Sequence, residues 1–375
     1  MDIVAEFRYL AKVLGLLGIH PTISRSMDYS FNHPVTDESQ PCHYIILHSF
    51  PAPDLEARWR EYLKKLDYPS HYDTPEFFLE PYWEGQHPFA ILAFDRGAII
   101  GVLTGLHDQR VLCGDSSRPQ ISLDKANTVI ADRILAEGLL AEAGNTNLIT
   151  MFTWESTPLP SFEKRGFQAR ELQGDVVLDL SAGTQTLFNE FPKNRRRDIR
   201  TAIRPGIEVS EETTEDDLTA YWEVYSAWRR TKRKKIHHNR SFASLKKVHD
   251  MQGNHRRFLA RYQGKVIAAA GIRFCPGGLV EFANNCSLDE YLKLLPNDLL
   301  VWRTIEWACE HGFKRYSLGA AHPFLRKWGG ELVSIYRYRI DRSFLHRYDL
   351  KDDIATIVRT VPLLKFAKKV LRKIA

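Results

Sequence analysis

The apolar residues run twice through the same order of strands and helices, and this repeat restricts the chain to few folds. Over residues 44–180 the periodicity predicts a strand, two helices, a hairpin, a helix, a strand, a short helix and a closing strand. Residues 207–340 repeat this order with one further strand at 279–285. The hairpin glycine Gly97 corresponds to Gly264. The sequence therefore predicts a duplicated α/β fold with mixed (α+β) sheets.

A second landmark recurs at nearly the same offset: F-E-K-R-G ending at Gly166 corresponds to L-R-K-W-G ending at Gly329. A chain of 375 residues is long enough for two domains of ordinary size. We predict four segments: an N-terminal helix and linker (1–40), a first domain (41–185), a second domain (186–345) and a basic amphipathic C-terminal helix (346–375). Pro362 kinks or splits that helix, whose apolar face packs on the protein body or lies on an anionic membrane surface.

Composition excludes several classes of protein. The 5 cysteines are odd in number and form no C-x-x-C, so neither a disulfide framework nor a zinc site is indicated, and the histidines lack metal-ligand spacing. No stretch is long and apolar enough for a membrane span, and Asp2 and Glu6 interrupt any secretory signal. G-x-S-x-G, Walker and Rossmann motifs are absent, which argues against hydrolases, NTPases and dehydrogenases. We expect a cytoplasmic protein, either free or peripheral on the inner face of the membrane.

Basic residues are clustered although the net charge is only +6. The clusters cover residues 193–204, 229–235 and 365–373. Such clusters attract phosphate-rich partners, including coenzyme A, tRNA, anionic lipid and nucleotide-linked sugars. The alternative is that they form solvated helix faces.

Short motifs in the second half carry a resemblance to a known family. In chain order they are N-R-R-R-D-I-R-T-A from 194, G-K-V-I-A-A from 264, P-N-D-L-L-V-W from 296, E-W-A-C-E-H-G-F from 306, Y-S-L-G from 316 and K-W-G from 327. This series resembles the FemAB-type and BioF-like branch of the GNAT acyltransferase superfamily. The resemblance is good over residues 186–340 and weak over 41–185, and it implies tandem GNAT-like domains.

The resemblance implies an N-acyltransferase that passes an acyl group to an amine of a cell-envelope precursor sugar or peptide. The donor it implies is an acyl-CoA or an aminoacyl-tRNA, and no metal is implied. Only 47 residues (211–257) separate the first strand of the second half from its hairpin, too few for the coiled-coil arm of many FemAB enzymes. We therefore favour acyl-CoA. The alternatives are an aminoacyl-tRNA-dependent peptidyltransferase acting on a lipid-linked peptidoglycan precursor, and a non-catalytic protein that binds an envelope precursor.

Acyl transfer to an amine needs a base, oxyanion donors and an anion site. Glu281, inside a strand, is the candidate base, and His322, at a strand's end, is a candidate proton carrier. The family's usual oxyanion lysine position is Leu325 here, so the adjacent cations are the candidates. The complete set of predicted site residues is: catalytic, Glu281, His322, Arg326 and Lys327; substrate-binding, Asn284, Asn285, Asn297 and Tyr336; phosphate or tRNA contact, Arg195, Arg196, Arg197 and Arg200. The helix that begins at Pro296 offers free N–H groups as an anion site.

Overall fold

Apolar strands form the centre of the structure, a computed structural model that describes residues 41–82, 85–114, 120–154, 159–232, 241–250, 253–320 and 322–360. The strands of the first half (41–185) are β1 (Cys42–Leu47), β2 (His87–Asp95), β3 (Ala98–His107), β4 (Val111–Cys113), β5 (Ile121–Leu123), β6 (Leu148–Trp154) and β7 (Gln168–Asp179). Those of the second half (186–345) are β8 (Glu208–Glu211), β9 (His255–Tyr262), β10 (Lys265–Phe274), β11 (Leu279–Ser287), β12 (Arg315–Ala320) and β13 (Glu331–Asp341).

Helices connect these strands. They are α1 (Pro53–Leu63), α2 (Thr128–Ala143), α3 (Pro160–Lys164), α4 (Thr184–Glu190), α5 (Lys193–Ile203), α6 (Glu215–Thr231), α7 (Phe242–Asp250), α8 (Pro296–Glu310), α9 (Pro323–Arg326) and α10 (Arg347–Thr360). Short 3-10 helices occur at His71–Asp73, Pro75–Leu79, Lys125–Asn127, Asp289–Leu294 and Phe344–His346. The predicted N-terminal helix and linker, residues 233–240 of the basic region and residues 361–375 lie outside the described residues.

The thirteen strands found among the described residues belong to one sheet, in the order β1-β2-β3-β4-β6-β13-β7-β12-β11-β10-β9-β8, with β5 paired to β3. From each edge of the sheet inward, the strands of one half follow one another in the same chain order. The last strands of the two halves are exchanged: β13 pairs with β6 of the first half, and β7 pairs with β12 of the second half. The exchanged strands pair with each other along the middle of the sheet. The predicted tandem architecture and mixed α/β class are confirmed.

The two predicted hairpins are confirmed by matching turns. Arg96 and Gly97 have φ of 46° and 78°, and Gln263 and Gly264 have φ of 50° and 77°. Two successive positive φ values are the mark of the hairpin turn whose twist fits the right-handed twist of the strands. Glycine follows a polar residue in both turns, which is why the repeat was visible in the sequence.

Helices cover both faces of the sheet in each half. In the first half, α2 packs on one face through Ile134 and Leu135, and α1 packs on the other through Trp59. In the second half, α8 covers one face through Leu299, while α6 covers the other through Tyr221. Strands buried on both faces explain why β2, β3 and β10 are almost continuously apolar.

Two local predictions need correction. The sequence pattern predicts the first helix at 54–66 with Asp54 as its cap, but the helix begins at Pro53 and its N-cap is Ala52, which makes no side-chain cap bond. Asp54 instead lies in the first turn, where its charge favours the helix dipole. The sequence pattern predicts the closing strand of the first half at 176–180, but this strand spans Gln168–Asp179, because it pairs with two strands of the second half.

The division of the chain at residues 185 and 186 stays a prediction. Among the described residues, no helix is long and apolar enough to cross a membrane.

Candidate functional site

Two parallel strands of the second half separate at Glu281. β11 and β12 pair in parallel over three residues only, from Leu279 with Arg315 to Glu281 with Ser317. Beyond this point β11 continues along β10, and β12 continues along β7, so the two strands move apart. The first half repeats the arrangement, with three parallel pairs between β4 and β6. A gap therefore opens in the sheet beside Glu281.

A cavity of about 370 Å³, which we call the central cavity, lies at this position. Its walls come from both halves: Tyr72 and Asp73 from the first, and Glu281 and Arg315 from the second. The indole Nε1 of Trp154, also on its wall, is buried and has no hydrogen-bond partner among the described residues. The central cavity thus combines carboxylates, a guanidinium and an available donor.

Glu281 is held in a polar part of the sheet although only 5% of its surface is exposed. Its neighbour on β10 is Arg273, and its neighbour on β12 is Ser317. The Ser317 hydroxyl donates to Asp175 and accepts from the N–H of Gly319 at 3.1 Å. Buried carboxylates need polar or charged neighbours, and Glu281 lies between an arginine and a serine as a buried residue of the sheet rather than a solvated surface residue.

A second cavity of about 240 Å³, which we call the side cavity, adjoins the central cavity, and Tyr72 lines both. Arg273 and Asn284 lie on its wall, and Asn284 Oδ1 accepts from Tyr221 at 3.3 Å. Within the part of the chain that is described, Arg273 Nη1 and Gln120 Oε1 are buried polar atoms without partners. The side cavity therefore offers one donor and one acceptor to a ligand.

The charges around the side cavity are paired. Arg273 binds Glu80 through two hydrogen bonds of 2.8 and 2.9 Å, and His71 Nε2 lies 2.9 Å from the same carboxylate. Burial alone would raise the pKa of Glu80, but Arg273 and His71 hold it well below its usual value. Burial lowers the pKa of His255 well below its usual value, and the nearby charge of Arg257 acts in the same direction. Near pH 7 the charges of Glu80 and Arg273 therefore offset one another, and Arg257 is paired with Glu212.

The surroundings of Asp73 shift its pKa in the opposite direction to that of Glu80. Its Oδ2 accepts from the backbone N–H of Ser70 at 2.7 Å and from the Ser70 hydroxyl at 2.9 Å, in a capping box. Burial nevertheless raises the pKa of Asp73 to about 6, although these hydrogen bonds act in the opposite direction. This carboxyl on the wall of the central cavity titrates close to neutral pH.

Two of the predicted site residues lie at these cavities. Glu281 lines the central cavity, and Asn284 lines the side cavity. Asn285 pairs with Ala270, next to Asn284 on the strand, so its side chain points to the opposite face of the sheet. Asn297 Nδ2 donates to the Ser287 hydroxyl at 3.1 Å, beside the start of α8.

The other predicted catalytic residues lie on α9 or at its ends. His322 is the N-cap of this helix, and its Nδ1 accepts from the N–H of Phe324 at 3.2 Å. His322, Arg326 and Lys327 are exposed and line neither cavity. Tyr336 packs against the apolar core of the first half. The structure thus separates these four residues from Glu281 and Asn284.

The predicted anion contacts on α5 have different surroundings. Arg195 is buried, and its guanidinium binds both Asp198 and Asp298. Because Asp298 lies in the first turn of α8, this ion pair occupies the helix start that we expected to bind an anion. Arg197 and Arg200 are exposed on α5, and Arg196 is half-buried.

The sequence reasoning missed Asp73, Gln120 and Arg273. Arg273 had a readable signal, since it is a charged residue in the otherwise apolar strand K-V-I-A-A-A-G-I-R-F. Asp73 had only the S-x-x-D spacing of a helix cap, which indicates structure rather than chemistry. Gln120 had none.

Among the described residues, one group has the composition of a cation site: Asp341, His346 and Asp349. The Asp341 oxygens already accept backbone N–H groups of Ser343, Tyr348 and Asp349. The group therefore acts as the cap of α10.

Comparison with known proteins agrees with this geometry. Residues 193–327 match the family model described as the acetyltransferase (GNAT) domain. A sequence comparison with curated proteins finds no match.

Several solved structures share the fold. FemX has 15% sequence identity and a TM-score of 0.58, with 76% of this chain and 96% of FemX covered. A tandem GNAT protein from the clavulanic acid biosynthesis pathway has 11% identity and a TM-score of 0.53, with 81% and 99% covered. L-PGS from Bacillus licheniformis has 13% identity and a TM-score of 0.56, with 80% and 95% covered. Residues 193–327 thus match a GNAT domain, and the chain shares the fold of these structures, which include FemX and a tandem GNAT protein.

Proposed function

We propose that the protein is an N-acyltransferase that transfers an acyl group from acyl-CoA to an amine of a cell-envelope precursor sugar or peptide. The observation that carries this proposal is the position of Glu281, buried on the wall of the central cavity where β11 and β12 separate. GNAT domains generally use acyl-CoA as donor. The gap between the strands is the natural place for an extended donor chain.

Glu281 acts as the general base in this proposal. The acceptor amine attacks the thioester carbonyl carbon, and Glu281 takes the proton that the nitrogen loses. The carbonyl oxygen carries the negative charge until the C–S bond breaks, which leaves an amide and a free thiolate. A positioned base contributes roughly 10²–10⁴-fold to such a rate. Arg326 and Lys327 line neither cavity, so we assign them no contact with this oxyanion.

The side cavity suits the acceptor. Its charges are paired, so it favours a neutral polar group over an ion. Arg273 Nη1 and Gln120 Oε1 supply a donor and an acceptor, as the amide and hydroxyl groups of peptides and sugars require. The fold shared with FemX and with the aminoacyl-phosphatidylglycerol synthetase L-PGS supports an acceptor from the cell envelope.

An aminoacyl-tRNA is the second candidate donor, with a lipid-linked peptidoglycan precursor as acceptor. Two observations favour it: Arg197 and Arg200 are exposed along α5, and the start of α8 already holds the Arg195–Asp298 ion pair in place of a diphosphate. Exposed arginines along one helix suit a phosphate backbone.

The test is an acyl-transfer assay in which acetyl-CoA or aminoacylated bulk tRNA is supplied with glucosamine or a lysine-containing peptide, and products are identified by mass spectrometry. We expect acetylated product, and a loss of kcat of at least about 100-fold in Glu281→Gln. Glu208→Gln, which changes an exposed strand glutamate, is the matched control and retains the parent rate. Product from aminoacyl-tRNA alone would favour the second donor. Full activity in Glu281→Gln would remove the proposed base.

A further inference from the structure

The turn between β13 and α10 holds two large apolar side chains in water. Phe344 is 80% exposed and Leu345 is 71% exposed. Leu350, in the first turns of α10, is 53% exposed. Single exposed apolar residues are common on protein surfaces, but a contiguous group of this kind marks an interaction site.

This turn is held firmly in its shape. Asp341 Oδ1 accepts from the N–H of Ser343 at 3.0 Å, and its Oδ2 accepts from Tyr348 and Asp349 at 2.9 and 3.1 Å. Leu345 adopts φ of 56°, in the left-handed region that a leucine rarely occupies. The capped helix start over-determines this backbone, so the apolar side chains are held outward rather than left there by a loose loop.

The acidic residues of α10 are paired with arginines of the sheet. Asp349 and Asp352 bind Arg339 at 3.0 and 2.7 Å, and Asp352 also binds Arg337 at 2.5 Å. Asp353 binds Arg170 at 3.0 Å. The negative charges of this part of the helix are therefore neutralised by β13 and β7.

Basic residues lie on the outward side. Arg342 in the turn and Arg347 and Lys351 on α10 are exposed. Beyond Thr360 the sequence continues with further basic residues and no acidic ones: Lys365, Lys368, Lys369, Arg372 and Lys373. The exposed surface is thus both apolar and positively charged.

We propose that this surface, formed by Phe344, Leu345 and Leu350 with Arg342, Arg347 and Lys351, binds the surface of a membrane that contains anionic lipids. Apolar side chains enter the boundary between headgroups and acyl chains, while the cations interact with the anionic headgroups. A second copy of the chain carries the same positive charge at this place, which opposes pairing of two such surfaces. The proposal concerns the surface alone and does not depend on the acyl-transfer chemistry.

The experiment measures co-sedimentation of the full chain with vesicles of phosphatidylcholine alone and with vesicles containing 30% phosphatidylglycerol. We expect binding to the anionic vesicles that weakens as salt concentration rises. The double variant Phe344→Ser, Leu345→Ser should bind at least about tenfold more weakly. Val129→Ser is the matched control, because Val129 is 76% exposed on α2 and lies outside this surface. It should bind like the parent.

The double variant keeps the basic residues beyond Thr360. A loss of binding in this variant is therefore due to the turn and not to those residues. Binding of the double variant equal to that of the parent would overturn the proposal and assign membrane binding elsewhere. So would a failure of the parent to bind either kind of vesicle, or a parent dimer in gel filtration that the double variant abolishes. Activity toward a soluble acceptor, measured on the same preparations, reports on the proposed function independently.

Discussion

At the scale of single residues, the surroundings of each carboxyl group decide its charge. Glu80 and Asp73 are both buried, yet Arg273 and His71 hold the pKa of Glu80 well below its usual value, while burial raises the pKa of Asp73 to about 6. Burial disfavours the charged form unless a cation compensates it. The pKa values of two carboxyls within ten residues of one another are thus shifted in opposite directions.

The titration of Asp73 predicts a pH dependence of stability. Its pKa rises from an ordinary value of 3.8 to about 6 in the folded protein. The folded state is therefore favoured below pH 4, and this contribution is lost as pH rises through about 6. A shift of this size corresponds to about 3 kcal/mol. Asp73→Asn stays neutral, so its free energy of unfolding should gain up to about 3 kcal/mol relative to the parent between pH 4 and pH 7.

Urea denaturation at pH 4, 5.5 and 7 measures this difference. Asp67→Asn is the control, since Asp67 lies on the same cavity wall but its side chain is 59% exposed. Its difference from the parent should change little over the same range, because exposed charges contribute little. A difference between the parent and Asp73→Asn that stays constant with pH would contradict the expected titration.

At the scale of elements, the pairing of β7 with β13 depends on a glycine. The register between these strands shifts between Val333 and Ile335, opposite Gly174. A Cβ atom on Gly174 would lie 1.7 Å from the carbonyl oxygen of Val333. Only a residue without a side chain allows the two backbones to approach this closely.

Gly174→Ala should therefore lower the free energy of unfolding by at least about 2 kcal/mol, because backbone rather than a flexible side chain must move. Gly253→Ala is the matched control, since a Cβ there meets nothing within 4 Å. That control should change the free energy of unfolding by less than about 0.5 kcal/mol. Chemical denaturation measures the free energy of unfolding of the two variants. Equal values would contradict this prediction and show that the paired strands β7 and β13 accommodate a methyl group.

At the scale of the whole molecule, the exchange of β7 and β13 makes each half depend on the other. β13 completes the sheet beside β6, and β7 completes it beside β12. The buried Glu80–Arg273 pair also joins the first half to the second. Removing one half would leave unpaired strand edges and an unpaired buried charge in the other.

We therefore expect the two halves to unfold together. Differential scanning calorimetry should show one transition for the two halves, with the calorimetric enthalpy equal to the van't Hoff enthalpy. Two transitions with separate midpoints would mean that each half is stable without the strand it receives.

The sequence by itself determined the duplicated order of elements, because each strand and helix has its own apolar period, and both hairpin turns have a glycine where φ must be positive. It also indicated Glu281 and Asn284, because the resembled family often has a catalytic glutamate on this strand and Asn284 follows near the strand's end. Local pattern could not show that the last strands are exchanged, since either pairing buries the same apolar residues. Only the tertiary structure shows that Asp73, Gln120 and Arg273 line the cavities beside Glu281. It also shows that Arg195 is buried in an ion pair with Asp298. Contacts between residues far apart in the chain decide burial and charge pairing, and no local period encodes those contacts.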